Sequence, residues 1–126
     1  MARILVIDDD EATRRVLKLL LERAGYDVTD AADGAAGVRS YREQPADVVL
    51  TDILMPGKEG LETIRELKHD YPDVKIVAMS GGGHTGNMDF LILAERLGAD
   101  RVLSKPIDRQ ELLQTMSELV SGAPAA

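Results

Sequence analysis

Short apolar runs recur along the chain, each followed by a stretch with helical periodicity, and this alternation constrains the fold more than any other feature. Residues 3–7, 27–31, 48–51, 75–79 and 101–104 are rich in Val, Ile or Leu and have strand length. Within them ILVI, VVL and IVAM are apolar without a polar alternate, the pattern of strands covered on both faces in a parallel sheet between helix layers. Helical periodicity fills the intervals. Residues 12–24 place Val16, Leu17, Leu20, Leu21 and Ala24 on one stripe before Gly25. A second helix opens at Asp33-Gly34 and ends near Gln44-Pro45, a third spans 60–71, and a fourth runs through 87–97 to Gly98. Asp108, with Glu111 three residues on, opens the last in the manner of a capping box. Five βα units predict right-handed crossovers and a single-domain (βα)5 doubly wound parallel sheet of the α/β class, in the flavodoxin-like order 2-1-3-4-5. Residues 1–121 form that domain and 122–126 a flexible tail.

At 126 residues the chain has room for one core of this kind. With no Cys it builds neither a disulfide nor a thiolate metal site. A net charge of −7 and only four aromatic residues, three Tyr and one Phe, speak against phosphate backbones, base stacking and anionic membranes as direct partners. The apolar runs fall far short of the ~18 residues of a membrane span. A cytoplasmic location is the expectation.

In this strand order the crevice lies at the carboxyl ends of the first and third strands. Asp8 and Asp9 follow the first and Asp52 the third. Three crowded carboxylates repel one another, and a hard divalent cation relieves that; oxygen ligands without His or Cys favour Mg²⁺ or Mn²⁺ over Zn²⁺. The fourth strand ends at Ser80, a hydroxyl, and the fifth at Lys105, a point charge suited to phosphate or carboxylate. Carboxylates with a metal on one side and a hydroxyl and ammonium on the other make a cradle for a transferring phosphoryl group, with Asp52 as candidate nucleophile.

These residues carry a resemblance. ILVIDDD, VVLTDILMPGKEG, Ser80-Gly81, the GAD before the fifth strand, and SKP together resemble the receiver domain of two-component response regulators over residues 3–120. The resemblance implies that Asp8, Asp9, Asp52 and the main-chain carbonyl of Leu54 hold Mg²⁺, and that Asp52 is the phosphoacceptor. It further implies that Ser80, Lys105 and backbone N–H groups near Leu54 and Gly81 bind the phosphoryl oxygens. The donor would be a phosphohistidine on a histidine kinase or histidine phosphotransfer protein, and an unidentified downstream protein would read the result. Such a chain is a stand-alone switch that catalyses its own phosphorylation and slow dephosphorylation, not an enzyme with a turnover substrate. The rivals are a small Mg²⁺-dependent aspartyl-phosphate phosphatase, a flavin or nucleotide binding module, and a binding module indifferent to phosphate. The phosphatase reading wants an acid two positions after the nucleophile, where this chain has Leu54.

Three places depart from the usual receiver pattern. Val102 stands in the fifth strand where Tyr or Phe is common, which excludes an aromatic rotamer switch there. Leu54 replaces an often polar residue that orients water, so a persistent aspartyl phosphate is expected. The Ser80 to Gly86 loop is longer than usual, and its ordering over the phosphoryl group is expected to replace the missing aromatic as readout. Its Gly81, Gly83 and Gly86 also spell GxGxxG, but after the fourth strand and not the first; Asn87 stands where a P-loop needs Lys. His84 and His69 are expected to be solvated, Asp10 and Glu11 to serve a helix N-terminus, and Met55, Met79 and Met116 to pack in or near the core, while Met88 is a candidate for a partner surface. Arg14, Arg15 and Lys18 are expected on a solvated helix face, with docking of the kinase on that first helix as the alternative.

Overall fold

The computed structural model describes residues 2–53, 60–80, 92 and 94–121. Its strands are β1 (Arg3–Ile7), β2 (Asp27–Ala31), β3 (Val48–Asp52), β4 (Ile76–Ser80) and β5 (Arg101–Ser104). Between and after them run helices α1 (Glu11–Arg23), α2 (Gly34–Glu43) and α3 (Gly60–Asp70), a helical segment at 94–97 labelled α4, and α5 (Arg109–Val120). All neighbouring strands pair in parallel, in the order β2-β1-β3-β4-β5.

The non-alternating strands are explained by the two layers they serve. Leu5, Ile7, Val49, Ile76 and Ala78 project into one core with Val38 of α2 and Ile64 and Leu67 of α3. Their neighbours Ile4, Val6, Val48, Leu50, Val77 and Met79 fill the other with Leu17 and Leu21 of α1 and Leu112 and Met116 of α5. Side chains alternate across the sheet as the pleat demands, but both faces are dry. Each large side chain so buried contributes about 1.5–3 kcal/mol. β2 is an edge strand in which polar Asp27, Thr29 and Asp30 accompany Val28 and Ala31, which is why its apolar signal is weaker.

Helix ends follow the expected chemistry. Asp10, Asp33 and Asp108 are N-caps whose carboxylates accept from Ala12 N, Ala36 N and Glu111 N respectively. Gly25 after α1 has φ +99°, a left-handed conformation that would strain any other residue. At the start of α3, Gly60 passes so close to β3 that an added Cβ would collide with the Asp52 carbonyl oxygen. On the α2/α3 side Tyr41 and Tyr71 pack with ring centroids 4.8 Å apart and planes tilted by 59°.

The element bounds differ from the sequence reading by one residue or so, as ends defined by single hydrogen bonds do, except that the expected start of the fourth helix at 87 lies outside the described residues. Side chains of α1 depart further. Val16 lies on the expected apolar stripe of α1 but is 57% exposed, because the sheet covers the face carried by Leu17 and Leu21. Met79 and Met116 are fully buried and His69 is exposed, as expected. The expectations for Leu54, Met55, Gly81, His84, Met88, the loop through Gly86 and the 122–126 tail lie outside the described residues.

Candidate functional site

β1 and β3 are hydrogen-bonded neighbours with Ile7 opposite Thr51, so Asp8 and Asp52 leave the sheet at the same end. Asp8 is fully buried, Asp52 is 5% exposed and Asp9 faces solvent. One carboxylate oxygen from each lies within 4.8 Å of the others. Buried carboxylates at this spacing are costly unless cations face them.

A single ammonium reaches two of the three. Lys105 Nζ donates to Asp8 Oδ2 and to Asp52 Oδ2, at 2.9 Å in each case. Burial pulls the Lys105 pKa downward, but hydrogen bonds and charge from Asp52 and Asp8 outweigh it, so the group lies above its ordinary value and stays protonated. The backbone holds it in place, since Lys105 N donates to Ser80 O at 2.8 Å. The Lys105-Pro106 peptide is cis.

Asp8 is held on every side. Its N–H donates to Ala31 O at 3.1 Å, and its Oδ1 accepts from Asp10 N at 2.9 Å. Asp10 is turned the other way, into α1. It accepts from Thr13 Oγ1 at 2.8 Å and from Ala12 N, and the Thr13 bond leads in holding its carboxyl below the usual carboxylate value. The capping role expected for Asp10 is observed.

The donor set suits a hard divalent cation. Three carboxylates against one ammonium leave an excess of two negative charges, and all the ligating atoms are oxygen. A second sign of an incoming group is Ser80, 1% exposed, whose Oγ has no hydrogen-bond partner among the described residues. A buried hydroxyl normally finds one. Of the residues singled out in the sequence, Asp8, Asp9, Asp52 and Lys105 come together, and Ser80 is tied to Lys105 through its main-chain oxygen. Arg14 is the residue that reading missed. It is not on a solvated face: its side chain is 17% exposed and bonded to Asp30 and to the Asp8 carbonyl. An acid at the end of β2 facing a basic residue one turn into α1 was the available signal.

A family profile described as the response regulator receiver domain matches residues 4–117. The chain belongs to that family. This receiver domain is 35% identical over 122 residues to the protein PilH of Pseudomonas aeruginosa, spanning 97% of the chain and 100% of PilH. It is 34% identical over 128 residues to the response regulator receiver protein CpdR of Brucella abortus, spanning 98% of the chain and 100% of CpdR. The crystal structure of a receiver domain protein from Clostridium thermocellum superposes with a TM-score of 0.89 at 34% identity, covering 96% of this chain and 95% of that one. Receiver domains are signalling modules of two-component systems that bind Mg²⁺ at their acidic pocket and interact with histidine kinases or phosphotransfer proteins. Among the described residues no helix is long and apolar enough to cross a membrane.

Proposed function

We propose that this receiver domain accepts a phosphoryl group on Asp52 from the phosphohistidine of a histidine kinase or histidine phosphotransfer protein, and thereby changes its affinity for a protein partner. The observation that carries this is the meeting of buried Asp8 and Asp52 with exposed Asp9 around the Lys105 ammonium. An Asp52 carboxylate oxygen attacks phosphorus in line, and the P–N bond to the donor imidazole breaks with its electron pair returning to nitrogen. Asp8, Asp9 and Asp52 would hold Mg²⁺ or Mn²⁺. When bound, the ion supplies charge neutralisation between the acids and the phosphoryl oxygens.

The chain's own residues do the remainder. Lys105, protonated and already bonded to Asp52, offsets charge on the attacking carboxylate and on the arriving oxygens. Ser80 offers a buried hydroxyl, without a partner among the described residues, to donate to a phosphoryl oxygen. Asp10 stays engaged with α1 and takes no part. In β5 the half-buried Val102 has no aromatic ring to swing, so the readout of phosphorylation passes through other groups. We assign the exchange to the cytoplasm, which a cysteine-free acidic chain suits.

Intact mass after acetyl phosphate and MgCl₂ tests the assignment. Wild type is expected to gain about 80 Da, one phosphoryl group, and Asp52→Asn nothing. An equal gain in the variant sinks Asp52 as acceptor.

A further inference from the structure

Asp9 is the one site acid that faces solvent, and the direction of its carboxylate depends on the peptide that joins it to Asp8. That peptide has an anchor outside the pocket. Arg14 Nη1 donates to the Asp8 carbonyl oxygen at 2.8 Å, while its Nε donates to Asp30 Oδ2 at 2.9 Å. Lys18 Nζ lies 3.7 Å from the other Asp30 oxygen. The guanidinium is thus a planar bridge from the end of β2, through α1, to the carbonyl between the two acids. Two donors in a fixed fork set an angle as well as a distance.

We propose that Arg14, oriented by Asp30, is a positioning residue for the divalent-cation site: it fixes the Asp8–Asp9 peptide plane so that the Asp9 carboxylate points at those of Asp8 and Asp52. The inference rests on the reading of those acids as the cation ligands. It does not rest on charge, and the sign of the effect separates the two. A guanidinium near an acidic cluster repels a cation by Coulomb's law, so removing it for its charge alone would tighten Mg²⁺ binding. Removing it as an anchor would weaken binding, because partners that orient metal ligands are typically worth about 10–100-fold in affinity.

The test is titration of the full chain with MgCl₂, followed by the amide NMR shifts of residues 8–10, for wild type, Arg14→Met, Arg14→Lys, Asp30→Asn and Asp9→Asn. Arg14→Met is expected to raise the Mg²⁺ dissociation constant about tenfold. Arg14→Lys, which keeps the charge and loses the fork, should fall between Arg14→Met and wild type, and Asp30→Asn should weaken binding by a smaller factor than Arg14→Met. Urea midpoints for the same proteins identify any variant that fails to fold. Arg14→Lys and Asp30→Asn then carry the test without Arg14→Met. An unchanged or lower dissociation constant in folded Arg14→Met and Arg14→Lys overturns the proposal while leaving the acid cluster intact. Wild-type Mg²⁺ affinity in Asp9→Asn instead overturns the reading of the cluster, and the proposal with it.

Discussion

The two ends of the parallel sheet are both acidic, yet their acids do opposite work. At the amino ends two carboxylates meet main-chain N–H groups. Asp47 Oδ2 accepts from Arg3 N at 2.7 Å, and Asp100 Oδ2 accepts from Ile76 N at 2.8 Å with Lys68 Nζ 3.5 Å away. These acids close loops onto strands. At the carboxyl ends Asp8, Asp9 and Asp52 crowd together around an ammonium that hydrogen-bonds two of them. One end spends its carboxylates on holding the chain together. The other stores mutual repulsion that a ligand can relieve, and stability and function are thereby divided between the two ends of the same strands.

This contrast can be broken at several points. The largest loss is expected where backbone meets backbone below the site. Gly60→Ala places a methyl group against the Asp52 carbonyl and Ile53 Cα, neither of which can step aside, and should cost about 3 kcal/mol in urea unfolding. At the amino end, Asp100→Ala leaves the Ile76 amide and Lys68 without their shared acceptor. It should cost about 2 kcal/mol by the same measurement.

At the carboxyl end the sign should reverse. Asp9→Asn removes one of three like charges and is expected to gain about 1 kcal/mol in low salt without divalent ions. The gain should vanish when MgCl₂ stabilises the wild type by binding. A loss of stability in Asp9→Asn would erase the contrast between the ends.

A smaller effect appears at high pH. Lys105 is raised in the folded state, so what it contributes is complete below the ordinary lysine value and is lost as pH climbs through the folded value. The difference in urea stability between wild type and Lys105→Met should therefore be flat from pH 7 to about 10 and narrow above that.

How much of this was legible in the sequence depends on whether a signal is local. ILVI and VVL declared strands with two dry faces because apolar residues stood on both sides of the pleat, and the acids at their ends were adjacent in the chain or two crossovers apart. Asp10 and Asp108 announced caps by position alone. Val16 could not be placed that way: it sits at the margin of a stripe whose width is set by how α1 leans on the sheet, and only packing decides that it is exposed. Arg14 was hidden for a related reason. A basic residue on a helix reads as solvated until the end of β2 is known to lie beside it, bringing Asp30 within 2.9 Å. Ser80 was legible as a hydroxyl at the right strand end. That its oxygen is buried, with no partner among the described residues, could be learned only from the fold.

The placement of the tyrosines has an optical consequence. The chain has three and no Trp. Tyr26 precedes β2, while Tyr41 and Tyr71 pack at a tilt where α2 and α3 run down towards the amino ends of the strands. Every tyrosine ring thus reports on the end of the molecule where nothing is exchanged. Emission from these rings will follow unfolding faithfully and stay silent when a cation or phosphoryl group arrives, so a spectroscopist who wants to watch the switch must install a chromophore, and half-buried position 102 is the natural seat for an indole.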